Sequence, residues 1–275
     1  MAIAQHLAVL RQGATRWNEW RQLGRATSEP VLPDLSGAVL RGLNLSGIDL
    51  SHANLKGVDL QQTDLIDAKF TGADLSHATL VAADLTNATL SHADLTLAKL
   101  SDCNLSGATL SYANLIGADL RRSHLNDADL SHANLIGTDL SGATLLHADL
   151  NHAQLERSGL SRADLRYADL SHANLSRANL FETELIAAYL YQANLHRAML
   201  VGAHLSQAVL ISANLTEANL MDTDLRWANL QKADLSGASL RATRLEWANL
   251  TRTTLAGVDL SAANTRGARW GRNAW

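Results

Sequence analysis

SHANLIGTDLSGATLLHADL, residues 131–150, repeats a pattern every five residues. A leucine closes each block (Leu135, Leu140, Leu145, Leu150), and a small residue stands two places before it (Ala133, Thr138, Ala143, Ala148). Outward from this stretch the register does not slip in either direction. From Val31 to Leu260 the chain divides into 46 consecutive pentapeptides without insertion, and the fifth residue is Leu in 45 of them, Phe70 being the exception. The third residue is Ala in 32 of the 46, and most of the others are small too: Thr63, Cys103, Ser123, Thr138, Ser158, Thr183, Thr223, Thr243 and Thr253. The fourth is Asp or Asn in 28.

A period of five fits neither common element. On an α-helix five residues advance about 500°, so successive leucines make no stripe. On a flat strand an odd period sends Leu35 and Leu40 to opposite faces. All the leucines share one environment only if the chain turns a corner in every block. Corners of about 90° close a coil in four blocks, with the small third residues letting the walls approach and the leucines filling the middle. A Leu→Ala change mid-rod then costs roughly 2–5 kcal/mol.

SHANL at 51–55, 131–135 and 171–175 resembles the pentapeptide-repeat family, whose motif is A-(D/N)-L-x-x. The resemblance implies an all-β solenoid, a right-handed quadrilateral β-helix with Ala and Leu inward and a structural Asp or Asn at the fourth position. The 46 blocks make about 11.5 coils, and at ~4.8 Å per stacked strand the rod is roughly 55 Å long. The expected organisation is a helical cap over 1–30, the β-helix over 31–264 and a tail or cap over 265–275. In the cap, Ile3, Leu7 and Leu10 share one helical face, Trp17, Trp20 and Leu23 another, and Gly13 and Gly24 are stop signals. WNEWR at 17–21 followed by the repeats is similar to bacterial, notably cyanobacterial, members of the family. The tail, with Arg266, Arg269, Trp270, Arg272 and Trp275, either covers the last coil or docks a partner.

Composition narrows the function. One cysteine, Cys103, excludes an internal disulfide and fits a reducing compartment. The N-terminus does not read as a signal peptide, and no apolar run of about 18 residues exists, so a cytoplasmic protein without a membrane span is expected. No phosphate-binding or dinucleotide-binding glycine motif occurs, no long loop interrupts the repeats, and a leucine-filled interior leaves no room for a cofactor. The expectation is no enzyme, no cofactor and no metal.

Residues twenty apart stack into columns, and the columns hold the candidate sites. His132, His152 and His172 stack with Tyr112, His92 and His52 further along. Parallel imidazoles about 4.8 Å apart converge poorly on one metal ion but respond to pH between about 5 and 7. Arg157, Arg177 and Arg197 form a column that is either a solvated face or an anion site. Phe181, Val201 and Met221, with Ile186, Tyr189, Tyr191, Met199, Val209 and Ile211, are expected on the same or adjoining faces as a partner or self-association surface. Trp227 and Trp247 stack nearby. Asp64, Asp67, Asp84, Asp127, Asp164, Glu184, Asp224 and Glu246 are expected on one acidic face, opposed there by Arg166, Arg226 and Arg244. Cys103 occupies an inward position and is expected to be a core residue.

Two functions follow. The first is a non-catalytic scaffold that binds a protein whose identity the sequence does not give. The second is a DNA-mimicking binder of DNA gyrase or another type II topoisomerase, which the family resemblance implies. Against it, B-DNA carries one charge per ~1.7 Å, about 30 over such a rod. The repeats hold 25 acidic and 16 basic residues, net −9. That negative surface also disfavours direct nucleic-acid binding. An enzyme lacks a groove with a carboxylate–base cluster, and an ice-binding face lacks a threonine array beyond pairs such as Thr89 and Thr109.

Overall fold

The structure, a computed structural model, describes residues 2–25 and 32–271. Two short helices, α1 (Ala4–Leu10) and α2 (Ala14–Arg25), precede a right-handed β-helix. Its walls are single-residue parallel rungs between residues twenty apart. Four such ladders run along the rod. Face 1 carries Asp34↔Asn54 and onward, face 2 Val39↔Asp59, face 3 Asn44↔Asp64 and face 4 Asp49↔Lys69. Going round a coil, faces 1 and 3 are opposite, as are 2 and 4.

One block shows why the sequence needs this shape. Leu60 N–H donates to Thr79 O of the next coil (2.8 Å), and Asp59 N–H to Ala38 O of the previous one (2.9 Å). Gln62 N–H reaches Val81 O (3.0 Å), and Thr63 N–H closes the turn onto Leu60 O (3.3 Å). The remaining donor, Gln61 N–H, bonds Asp59 Oδ1 (3.2 Å). Every N–H of the block is thereby satisfied. Where the fourth residue is Asp or Asn, its side chain supplies that last acceptor, an Asx turn at the corner.

The second residue of each corner is left-handed, as a type II turn requires. Glycine takes this freely, but His132 (φ 58), Arg157 (φ 59) and Trp227 (φ 63) sit there too. Each non-glycine residue costs about 1–2 kcal/mol, offset by its turn and rung hydrogen bonds. The fifth-position leucines from Leu35 to Leu250, with Phe70 among them, are almost wholly buried. Threonines stand in for inward Ala by bonding a leucine carbonyl 23 residues back: Thr183 Oγ1 to Leu160 O and Thr223 Oγ1 to Leu200 O, both 2.8 Å. Cys103 Sγ does the same to Leu80 O, and burial pushes its thiol up to about 12.

The helices close the first coil. Trp17 is buried and its indole N–H donates to Asp49 O (2.7 Å). Asn18 bonds Gly47 O and Asp49 N–H, Arg21 bonds Ser51 O, and His6 Nδ1 accepts Asp34 N–H. Trp17 and Trp20 pack together at 4.9 Å, but Leu23 is 74% exposed and takes no part in the seam.

At the other end the coil runs past the boundary expected at 264. β1 (Asn249–Leu250) pairs in parallel with β2 (Arg269–Trp270), so Trp270 takes a leucine position. Residues 265–271 therefore extend the solenoid, while Arg272 and Trp275 lie outside the described residues, as does Val31. The Ser239↔Asp259 rung is missing among the described residues, and Ala242 N–H bonds Ala262 O, one residue out of the usual spacing.

Candidate protein-binding face

The nine apolar candidates do not form one patch. Tyr189 and Val209 are successive rungs of face 4, flanked by Tyr191 and Ile211 at the corner towards face 1 and Ile186 at the corner from face 3. Met199 is a rung of face 2, on the far side of the rod, and Phe181, Val201 and Met221 line the corner between faces 2 and 3. The reason is arithmetic: ten residues are half a coil, so Tyr189 and Met199 face opposite ways.

The face 4 group gains a member that the sequence reading missed. Tyr167 lies on the corner below Ala187 and stacks on His147 at 5.1 Å. On the other margin Tyr191 meets His172 edge-on at 5.4 Å. Tyr167, Tyr189 and Tyr191 are 49%, 52% and 40% exposed, enough to make this the most aromatic stretch of wall. No charged side chain occupies a rung of face 4 between Asp169 and Arg269.

The histidine column is a continuous stack. His92, Tyr112, His132, His152 and His172 follow one another at 5.1, 4.7, 4.9 and 4.7 Å, their planes within 10°. Two nitrogens on one metal at ~2.1 Å bonds lie at most about 4.2 Å apart, so the stack is too wide for chelation. No group of three or more His, Cys, Asp or Glu among the described residues forms a metal site.

The acidic candidates share face 3 and its corner, but in two electrostatic states. Asp64, Asp84, Asp164, Glu184 and Asp224 are rungs of one ladder; Asp67, Asp127 and Glu246 occupy the following corner. Arg166 grips Asp164 with two hydrogen bonds (2.8 and 2.7 Å) and holds its carboxyl below the usual range. Partial burial alone would raise the Asp224 carboxyl, but bonds from Arg226, with Arg244 at 3.2 Å, outweigh it and lower it. Glu184 bonds His204 (2.7 Å), and Glu246 bonds Asn264 (2.6 Å). Towards the N-terminus, the Asp64 carboxylate accepts, among the described residues, only the Ser46 hydroxyl and the Ile66 N–H. In the arginine column, Arg157 approaches Glu156 at 3.5 Å and Arg197 pairs with Glu217 at 2.8 Å.

Trp227 and Trp247 stack at 5.3 Å beside a cleft of about 380 Å³ lined also by Arg226, Glu246, Asn264 and Arg266. Gly267 continues their column, where a Cβ would come within 2.6 Å of the Trp247 ring. No described helix is long and apolar enough to cross a membrane.

No curated protein matches the chain significantly. Among solved structures it is similar to HetL, a pentapeptide repeat protein involved in heterocyst differentiation regulation from the cyanobacterium Nostoc sp. strain PCC 7120. The identity is 30%, over 91% of this chain and 92% of HetL, with a TM-score of 0.33. A pentapeptide repeat protein of the Arabidopsis thaliana thylakoid lumen is 36% identical over 36% of this chain and 68% of its own, with a TM-score of 0.35. QnrB1, a plasmid-mediated fluoroquinolone resistance protein, is 16% identical over 86% and 94%, with a TM-score of 0.32. Residues 34–267 match the pentapeptide repeats family in eight copies, most of the chain's length, and the chain belongs to that family.

Proposed function

We propose that this protein is a non-catalytic interaction scaffold that binds a protein partner through face 4, centred on Tyr167, Ile186, Tyr189, Tyr191, Val209 and Ile211. The observation that carries the reading is the concentration of three exposed tyrosines and three aliphatic residues on a stretch of rigid wall without charged rungs. Tyrosine supplies contact area with few rotamers to freeze, and aromatic enrichment with charge depletion marks interface cores. The rod presents this surface preformed, so little ordering is lost on binding.

The test compares the full chain with Tyr189→Ser/Tyr191→Ser and with Phe181→Ser/Val201→Ser in quantitative pull-downs from cells of its source. Loss of the same proteins in the first variant and their retention in the second is the expected result. The reverse pattern moves the surface to the corner between faces 2 and 3. The topoisomerase reading has less support, because three of the five acidic rungs on face 3 already hold a basic partner. Undiminished gyrase supercoiling at high excess of the protein would remove it.

A further inference from the structure

Face 4 changes character along the rod. Below the tyrosines its rungs are Asp129, Asp149 and Asp169, three carboxylates on successive coils. Each accepts at Oδ1 the backbone N–H two residues on, from Ser131, Asn151 and Ser171, at 2.9, 2.9 and 2.8 Å. None forms an ion pair among the described residues. The flanking corners explain why. On one side stand the uncharged Ser131, Asn151 and Ser171, with His132, His152 and His172, whose rings stack on one another and not on the carboxylates. On the other, the nearest guanidinium, Arg166, is held by Asp164. The next rung after Asp169 is Tyr189, so an unneutralised acidic row runs directly into the aromatic patch.

Resting on the reading of that patch as the contact surface, we propose that its occupant is an amphipathic helix of the partner protein. The helix carries Lys or Arg on three successive turns, followed by an apolar anchor. The basic row lies along Asp129, Asp149 and Asp169, and the anchor seats among Tyr189, Tyr191 and Val209. Charge complementarity selects the sign. The spacing selects the helix: rungs repeat every ~4.8 Å, close to the 5.4 Å pitch of an α-helix. Alternate residues of an extended strand fall ~6.7 Å apart and lose register within two rungs. From Asp129 to Val209 is four rungs, roughly 19 Å, or about 13 helical residues.

The probe is a library of 16-residue helical peptides with one randomised face, selected on the immobilised full chain and counter-selected on Tyr189→Ser/Tyr191→Ser. The expected clones carry Lys or Arg on three consecutive turns next to an apolar residue. They lose affinity on the order of tenfold on Asp129→Asn/Asp149→Asn/Asp169→Asn, and again on raising salt. Asn keeps the wall intact, since Asn229 holds the same position on this face and bonds Gln231 N–H. Tyrosine-dependent clones without a basic row, indifferent to the Asp→Asn changes, would overturn this inference and leave the contact surface standing. Failure to recover any tyrosine-dependent clone would overturn both. A wild-type dimer that the tyrosine variant does not form would make a second copy the occupant and overturn the inference.

Discussion

The stretch of face 3 around Asp164 and Asp224 and the stretch of face 4 from Asp129 to Asp169 are adjacent walls with similar acidic rungs and different electrostatics. On face 3, Asp164 and Asp224 sit inside arginine forks, and Asp224 is nearly buried by them. On face 4, Asp129, Asp149 and Asp169 have the same turn hydrogen bond and no counter-charge. The backbone is the same in both, so the difference lies in the residue two places after each carboxylate. On face 3 it is Arg166 or Arg226; on face 4 it is Ser131, Asn151 or Ser171. One position per block decides whether a wall neutralises itself or offers charge to a partner.

The core beneath both faces sets the largest effect. Leu170 is fully buried, and its N–H bonds Tyr189 O (2.7 Å). Leu170→Ala should cost about 2–5 kcal/mol, read as a lower urea midpoint, and should blunt binding at face 4 by loosening the wall. An unchanged midpoint would mean that the neighbouring coils collapse into the space. Next in size, Asp224→Asn strands Arg226 and Arg244 over one neutral amide. Both arginines are 44% exposed, so solvent screens part of the loss, leaving about 1 kcal/mol.

The forks also predict the acid limb of stability. The Asp164 and Asp224 carboxyls are lowered in the folded chain. A lowered carboxyl contributes stability above its unfolded value, about 3.9 for Asp. That contribution is lost as the pH falls below it through the folded value. Thermal melts of Asp164→Asn/Asp224→Asn between pH 5 and 2.5 should therefore fall less steeply than those of the wild type. Parallel curves would place the acid sensitivity elsewhere.

Most of the fold was legible because a strict period of five leaves one geometry in which every leucine is equivalent. The columns followed from counting by twenty, and the stacked histidines and tryptophans lie where that count puts them. The pairings were less visible. Asp119, Asp164 and Asp224 are each followed by Leu and Arg, and each carries a two-point fork from that arginine. The tripeptide D-L-R was a readable signal once the corner was known to fold the third residue back over the first. Met199 and Tyr189 are close in sequence, but half a coil separates them and turns them to opposite sides of the rod. The last rung is hidden in the sequence because Trp270 breaks the leucine pattern while still filling its position.

The smallest effect separates the two faces by sign. Asp149 sits between Asp129 and Asp169, about 4.8 Å from each rung. Like charges opposite one another in a sheet are destabilising by a few tenths of a kcal/mol. Asp149→Asn removes two of these repulsions and keeps the acceptor for Asn151 N–H, so the chain should become slightly more stable. Asp224→Asn should make it less stable. Urea midpoints of the two variants at low salt should therefore move in opposite directions, and the Asp149 gain should vanish in about 0.5 M salt as screening removes the repulsion. If Asp149→Asn instead lowered the midpoint as far as Asp224→Asn does, the carboxylate would already be neutralised within the chain, and face 4 would have no free charge to offer a basic helix.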